Sequence, residues 1–294
     1  MSTSRAVALG TFDGVHLGHR RVVQTAIEHA HALGVRSAVA TFDPRPVSVI
    51  VPERAPDSLT TLERRLELLR DAGADDVIVI EFTRELAARS AEEFAVEQLV
   101  GQLGAVDVVV GQNFRFGRGR SGDVNVLRAL GEELGFAVSI APLFEIDGEP
   151  VSSSRIRELV RLGDVEGAAR LLGRAPELEG IVVRGDGRGR ELGVPTANLG
   201  MEHGFVLPAE GVYAGEVELG DGRRFRAAIS VGTNPTFDGE REVRVEAHLL
   251  RFDEDIYGAA MRVEFLRFLR GQRRFDRLDD LVVQMREDIA AADA

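Results

Sequence analysis

The apolar pattern of this chain changes once, near residue 175, and this change limits the possible fold more than any other feature. Before it, short apolar runs alternate with segments of helical periodicity such as 18–33 and 61–72. The runs predict five strands: Arg5–Gly10, Arg36–Thr41, Val77–Ile80, Val106–Val110 and Ala137–Ala141. Strands separated by helices favour a parallel sheet with right-handed crossovers. We therefore expect a Rossmann-like α/β domain with flanking helices.

From about Leu178 onward the apolar runs are short and alternating, and glycine is frequent. Five such runs follow at turn-punctuated spacing: GIVVRG, GVYAGEVEL, FRAAISVG, VRVEAHLL and MRVEFLRFL. This pattern predicts a small antiparallel barrel or sandwich, of which we expect the barrel. An amphipathic helix over 276–292 closes the chain. We place the boundary near 173–176, which gives domains of residues 1–173 and 174–294.

Composition removes several classes of function. The 294 residues contain no cysteine, which excludes disulfides and thiolate chemistry, and carry a net charge of −12, which argues against a nucleic-acid partner. No apolar run reaches the ~18 residues of a membrane helix, and the first residues lack a signal-peptide pattern, so we expect a cytoplasmic protein without a membrane partner. The oligomeric state stays open. All 36 basic residues are arginine, so a P-loop with its phosphate-binding lysine is excluded.

The segment GTFDGVHLGH ends the first predicted strand and opens the first helix. Gly10 and Gly14 allow a tight turn and a close approach of ligand, and Gly18 leaves room at the helix start. His16 and His19 are three residues apart and share the first helical turn, where the helix dipole is positive. Two imidazoles and free amides there predict a cradle for a polyphosphate. Such a cradle suits adenylyl transfer, which needs alignment and charge stabilisation but no covalent nucleophile.

Three other segments follow predicted strands of the same sheet, and ligands bind at the carboxyl ends of such strands. They are TFDPRP with Asp43, GQNFRFGRGRSGD with Asn113 and Arg115, and SSSRIR at 152–157. The hydroxyls and arginines of the last segment suit ATP phosphates. In isolation, Asp43 could equally be a turn former and the glycine-rich loop a solvated connection.

The second half holds a separate motif, GDGRGRELGVPTANL, over 185–199. Its glycines at 185, 187 and 189 make an amide-rich loop that can fold over phosphates without a lysine. The hydroxyl of Thr196 and the amide oxygen of Asn198 are hard ligands that suit Mg²⁺ beside phosphate. In VRVEAHLL, strand alternation puts Glu246 on the polar face.

These segments, in this order, resemble the bacterial bifunctional riboflavin kinase/FAD synthetase family over nearly the whole chain. The resemblance implies an N-terminal domain that adenylylates FMN to FAD and a C-terminal domain that phosphorylates riboflavin, both with ATP and Mg²⁺. Ser154 replaces a threonine of the family motif, and Arg45 stands where the family commonly has histidine. Relatives often have a longer arm before the histidine motif than the nine residues found here.

The resemblance also implies roles for individual residues. It makes Glu246 the general base of the kinase and gives His16 and His19 the catalytic role in adenylyl transfer. The implied ATP/FMN site comprises Gly10, Phe12, Asp13, Gly14, Asp43, Asn113, Arg115, Ser153, Ser154, Arg155 and Arg157. The implied kinase site comprises Gly185, Gly187, Gly189, Arg190, Pro195 and Asn234, with Thr196 and Asn198 at the metal. The last helix and the strand before it are expected to border the isoalloxazine pocket.

Two alternatives remain at this point. The histidine turn alone also fits an enzyme that transfers a nucleotide to another acceptor, such as glycerol phosphate or pantetheine phosphate. A flavin-binding regulator without catalysis is the rival from another class. The flavokinase-like second half argues against the first, and intact Thr196, Asn198 and Glu246 argue against the second.

Overall fold

The computed structural model describes residues 4–185, 189, 192–235 and 241–294. The chain forms two compact units: Met1–Pro56 with Thr61–Ser152, and Asp57–Thr60 with Ser153–Ala294. Within the described ranges, no helix is long and apolar enough to cross a membrane.

The first unit is built on a five-stranded parallel sheet, as predicted. Its strands are β1 (Arg5–Leu9), β2 (Arg36–Asp43), β3 (Asp76–Glu81), β4 (Ala105–Gly111) and β5 (Ala137–Ala141). The order β3-β2-β1-β4-β5 places β1 at the centre, with β2 and β4 beside it. The carboxyl ends of β1, β2 and β4 therefore lie side by side, at the edge where ligands bind such sheets.

Helices flank this sheet, and their ends follow local capping rules. They are α1 (Leu17–Leu33), α2 (Pro46–Ile50), α3 (Leu62–Asp71), α4 (Arg84–Ala87), α5 (Ala91–Phe94) and α6 (Val124–Leu134). Helix α1 ends at Gly34, whose φ of 67° is favourable for glycine. Ser90 and Glu93 form a capping box before α5, which continues in wider turns over Ala95–Gln102. A short hairpin, β6 (Glu145–Ile146) and β7 (Glu149–Pro150), follows β5.

The two faces of the sheet are both apolar because the strands are covered on both sides. Val7 and Val108 pack with Leu99 and Leu127 on one face. Ala8 and its neighbours pack with the apolar stripe of α1 on the other. Continuous burial of the central strands fixes the register, so the loops that follow them are held at defined positions.

The second unit begins with α7 (Ser153–Arg161) and α8 (Val165–Leu172) and then forms a closed barrel. Its strands are β8 (Glu177–Val183), β9 (Ala197–Gly200), β10 (Gly211–Leu219), β11 (Arg224–Pro235), β12 (Arg241–Leu249) and β13 (Ala260–Gly271). Neighbouring strands are antiparallel, in the order β10-β11-β12-β9-β8-β13. The barrel is thus the correct choice over the sandwich. Helix α9 (Leu278–Asp293) closes the chain.

Alternation along β12 separates the interior of the barrel from its outer face. Val245 and Ala247 are buried in the barrel core, together with Tyr213 and Phe265 from neighbouring strands. Glu246 lies between two interior residues, is partly exposed and belongs to the outer face. The polar face predicted for this strand therefore lies outside the barrel core.

Two candidate active sites

The turn between β1 and α1 has a backbone that few sequences can adopt. Gly14 has a φ of 83°, and the non-glycine residues Phe12 and Val15 have φ values of 47° and 40°. Such conformations cost energy in non-glycine residues and concentrate at functional sites. A Cβ at Gly18 would lie 3.2 Å from ring atoms of His16, tighter than ordinary contact. The backbone conformation thus explains the glycine at position 14, and the close contact with His16 explains the glycine at position 18.

The two histidines of this turn stack on each other. Their ring centroids are 3.5 Å apart and their planes differ by 16°. His16 is the N-cap residue of α1, and its Nδ1 accepts a hydrogen bond from the backbone N–H of His19 at 3.2 Å. The neutral His16 ring therefore carries its proton on Nε2. The pair lies at the helix N-terminus, where amides and the dipole favour an anion.

Two arginines pair with carboxylates in the turn after β1 and at the end of β2. Arg45 Nη1 donates to Asp13 Oδ2 at 2.9 Å, and Arg65 Nη2 donates to Asp43 Oδ1 at 3.1 Å. Asp13 is buried, so its charge needs such a partner. Sequence reasoning singled out both carboxylates but not Arg65, because an arginine in a helix of charged residues gives no sign that it is buried.

The loop after β4 leaves the sheet at the edge it shares with β1. Asn113 lies exposed in the turn directly after this strand. Arg115 contacts Asp123 at 3.2 Å, and Asp123 caps α6 by accepting from two backbone amides. The loop is thus tied to α6 through Arg115.

Of the motif SSSRIR, Ser153 to Arg157 form the start of α7 in the second unit, and Ser152 is the last residue of the first unit. Ser153 is the first residue of the helix, and Ser154 and Arg155 follow in its first turn. Arg157 is buried, and its Nε donates to the carbonyl oxygen of Asp57 at 2.7 Å. Hydroxyls and arginines on the first turn of a helix suit phosphate chemically.

The second site lies on the outer face of the barrel. Strand register aligns Val212 with Ser230, Ser230 with Glu246, and Glu246 with Asn198, so that one row crosses four strands. Thr196 lies just before β9, and its hydroxyl donates a hydrogen bond to Glu246 Oε2 at 3.1 Å. Residues 50 positions apart in the sequence are thus brought into contact.

A cavity of about 430 Å³ opens over this row. Gly185, Gly189 and Pro195 line it together with Thr196, Asn198 and Glu246. A Cβ at Gly185 would overlap the side chain of Asn198, which would have to shift to make room for it. Gly187 and Arg190 lie outside the described residues. Asn234 is in β11 opposite Glu242, and its side chain is likewise outside the described part.

The oxygen donors at this cavity fit a magnesium ion held jointly with a nucleotide. Among the described residues, no group of three or more His, Cys, Asp and Glu side chains could hold a metal alone. Magnesium commonly takes one or two protein ligands and completes its shell with water and substrate phosphates. The Thr196 hydroxyl and the Asn198 amide oxygen match that requirement.

The far wall of the cavity is the last helix. Leu281, Met285 and Ile289 of α9 present an apolar surface to it. Arg270, near the end of β13, pairs with Asp288 of α9 at 2.6 Å, and both residues line the cavity. The helix face was predictable from its amphipathic pattern, whereas the Arg270–Asp288 pair carries no local sequence signal.

A second cavity of about 460 Å³ adjoins the first cavity at the residues just before β9. It shares Pro195, Thr196 and Tyr257 with the first cavity. Phe252 and Ile256 supply apolar surface, and Asp253, Glu254 and Asp255 supply charge. Arg184 lies over the Tyr257 ring, 5.0 Å from its centroid. Thr196 therefore stands between two cavities, beside the carboxylate of Glu246.

Comparison with known proteins gives a consistent result over nearly the whole chain. A family model described as FAD synthetase matches residues 1–155, and one described as riboflavin kinase matches residues 172–294. The bifunctional riboflavin kinase/FMN adenylyltransferase of Haemophilus influenzae is 36% identical and aligns over 98% of this chain and 93% of its own. The protein of the same name from Pseudomonas fluorescens is 38% identical, over 97% and 91% respectively.

A solved structure shows the same fold over nearly the full length. The crystal structure described as a macrolide-efflux protein from Streptococcus pneumoniae has a TM-score of 0.89 and 32% sequence identity to this chain. It covers 99% of this chain and 95% of its own.

Proposed function

The chain belongs to the bifunctional riboflavin kinase/FMN adenylyltransferase family, and on that premise we propose that it catalyses both reactions in series. Residues 174–294 convert riboflavin and ATP to FMN and ADP. Residues 1–173 convert FMN and a second ATP to FAD and pyrophosphate. The observation that carries the kinase assignment is the contact between Thr196 and Glu246 at the wall between two cavities.

We infer that the two cavities hold the two kinase substrates. The isoalloxazine ring is large and flat, and the apolar wall of α9 with Phe275 suits it. The nucleoside of ATP suits the cavity beside Tyr257 and Phe252, where an aromatic surface is available. The ribityl chain and the γ-phosphate then meet at Thr196 and Glu246.

Phosphoryl transfer to riboflavin follows from this arrangement. The Glu246 carboxylate accepts the proton of the terminal ribityl hydroxyl as that oxygen attacks the γ-phosphorus of ATP and ADP leaves. The Thr196 hydroxyl, which is bonded to Glu246 in the structure, and the Asn198 amide oxygen would be the protein ligands of a magnesium ion on the phosphates. Mg²⁺, when bound there, neutralises phosphate charge. The glycine loop at 185–189 supplies amides for the phosphates.

Adenylyl transfer belongs to the histidine turn of the first unit. A phosphate oxygen of FMN attacks the α-phosphorus of ATP, and pyrophosphate leaves. His16, His19 and the amides at the start of α1 stabilise charge on the phosphoryl oxygens. We propose that Asn113, in the turn directly after β4, adds a further contact to the phosphates. Histidine and arginine must supply the positive side-chain charge, because the chain has no lysine.

Product analysis tests both halves of the proposal. Purified protein with riboflavin, ATP and Mg²⁺ is expected to form FMN and then FAD, separated by chromatography. If the reaction stops at FMN, the adenylylation assignment is wrong. If added FMN becomes FAD while riboflavin stays unchanged, the kinase assignment is wrong.

The alternatives give different products in the same assay. An enzyme for another acceptor would consume ATP or CTP with glycerol phosphate or pantetheine phosphate, and we expect no product from either. A flavin-binding regulator would show no turnover with any of these substrates.

A further inference from the structure

Arg65 of α3 is a buried arginine that no motif of the sequence accounts for. Its exposed fraction is only 3%. One guanidinium nitrogen donates to the carbonyl oxygen of Thr11 at 3.2 Å, and the other donates to the carbonyl oxygen of Phe42 at 3.1 Å and to Asp43 Oδ1 at 3.1 Å. Its Nε is buried without a hydrogen-bond partner among the described residues. Burying a guanidinium costs desolvation energy, which its hydrogen bonds and its ion pair must offset.

The bonds of Arg65 fall on the ends of two adjacent strands. Thr11 lies two residues after the end of β1, and Phe42 and Asp43 end β2. The Thr11 carbonyl also accepts a hydrogen bond from the Thr41 hydroxyl at 3.1 Å. Two donors thus hold the one peptide group that precedes the strained residue Phe12, whose φ is 47°.

Phe12 connects this anchored peptide to the histidine pair. Its ring is 2% exposed and meets the His19 ring edge to face, with centroids 5.3 Å apart. His19 in turn stacks on His16. A rotation of the Thr11–Phe12 peptide would move the Phe12 ring, and the His19 ring would lose the surface that sets its orientation.

We propose that Arg65 is a positioning residue for adenylyl transfer, which fixes the Thr11–Phe12 peptide and through it the His16–His19 pair. This inference rests on the proposed function of the first unit. Arg65 is too deeply covered to bind substrate itself, so it acts through the turn. The planar fork of an arginine suits carbonyls on two strands, which the point charge of a lysine cannot satisfy equally.

Electrostatics supports a permanently charged group at this place. Burial lowers the pKa of the Arg65 guanidinium from its ordinary value, while the carboxylates of Asp43 and Asp13 oppose this change. A lysine has a lower ordinary pKa and loses more of its charge on burial. Arg65→Lys should therefore hold the Thr11–Phe12 peptide less firmly than arginine does, and Arg65→Gln should hold it less firmly still.

The test compares Arg65→Lys and Arg65→Gln with Arg70→Lys, an exposed arginine on the same helix. We expect kcat for FAD formation from FMN to fall about 10-fold in Arg65→Lys and further in Arg65→Gln, since a displacement near 1 Å can cost ~10²-fold. Hydrogen exchange by mass spectrometry should quicken in residues 10–19 but not in β4 or β5. Arg70→Lys should match the unmodified chain, and riboflavin phosphorylation should be unchanged in all three.

Two results would overturn the inference. One is a kcat within twofold of the unmodified protein in Arg65→Gln. The other is faster exchange throughout the first unit, which would make Arg65 a general support of the fold. If the unmodified protein forms no FAD, the proposed function itself has failed, and the exchange in residues 10–19 still decides whether Arg65 holds the turn.

Discussion

Glu246 has a role in only one of the two proposed reactions, the phosphorylation of riboflavin. Its carboxylate accepts from Thr196, lies in register with Asn198 and faces the cavity on the outer side of the barrel. A glutamine there keeps the size of the side chain and an acceptor oxygen for Thr196 but cannot take a proton at neutral pH.

We predict that Glu246→Gln lowers the rate of riboflavin phosphorylation by ~10²-fold or more, the usual contribution of a general base. FAD formation from added FMN should stay at the level of the unmodified protein. The matched control is Glu216→Gln, which changes a carboxylate on the outer face of the barrel that pairs with Arg224. This control should alter neither rate. Equal rates for Glu246→Gln and the control would remove Glu246 from the mechanism.

Gly18 offers the corresponding test at the histidine turn. An added Cβ would lie 3.2 Å from the His16 ring and 3.6 Å from the Val151 carbonyl oxygen, so the ring must shift by a few tenths of an ångström. We predict that Gly18→Ala lowers kcat for FAD formation several-fold and leaves riboflavin phosphorylation unchanged. Leu33→Ala, at the exposed end of α1, is the control. A Gly18→Ala protein with unchanged kinetics would show that the stacked geometry of the histidines is not required.

At the scale of elements, the sequence was most informative where periodicity and local caps agree. The five parallel strands and α1 were predicted to within about two residues, because central strands are continuously apolar and Gly34 ends the helix. Alternation placed Glu246 on the correct face of β12. Periodicity alone did not show that α9 packs over the outer face of the barrel, a contact distant in sequence; only the family resemblance pointed to the last helix and the strand before it.

Helix α9 is held at the flavin/kinase cavity by an ion pair between Asp288 and Arg270. Asp288 is buried and binds Arg270 through both carboxylate oxygens, at 2.9 and 2.6 Å. Asp288→Asn leaves the Arg270 charge without its partner and should loosen the helix from the cavity. We predict a several-fold higher KM for riboflavin with no change in FAD formation from FMN. Asp280→Asn, an exposed change on the same helix, should leave KM unchanged. An unaltered KM in Asp288→Asn would exclude α9 from the flavin cavity.

At the scale of the whole molecule, the two units differ in their tyrosine content. Both tyrosines of the chain, Tyr213 and Tyr257, lie in the second unit. The chain has no lysine and no cysteine, and arginine titrates only above about pH 12. Tyrosine is therefore the residue type to consider for effects of alkaline pH, and both tyrosines belong to the second unit. Their distribution was readable from the sequence, whereas the burial of Tyr213 against Phe265 needed the closed barrel.

Tyr213 makes the stability of the second unit depend on alkaline pH. Its side chain is buried in the barrel, its hydroxyl donates to the carbonyl oxygen of Ala209 at 2.6 Å, and burial raises the pKa of Tyr213 from 10.0 to about 12. The unfolded chain therefore releases the phenolic proton at lower pH than the folded chain. The stability due to this group is complete below pH 10 and is lost as pH rises toward 12.

We predict that the urea midpoint of the second unit, followed by the near-ultraviolet circular dichroism of its tyrosines, falls steadily from pH 10 to pH 12. Tyr213→Phe should start from a lower midpoint at pH 8, because the bond to Ala209 is lost, and should fall much less over the same range. Tyr257, which is exposed, can be replaced by phenylalanine as the control and should leave the pH dependence intact. A wild-type midpoint that stays constant up to pH 12 would mean that the Tyr213 hydroxyl ionises in the folded barrel as readily as in the unfolded chain.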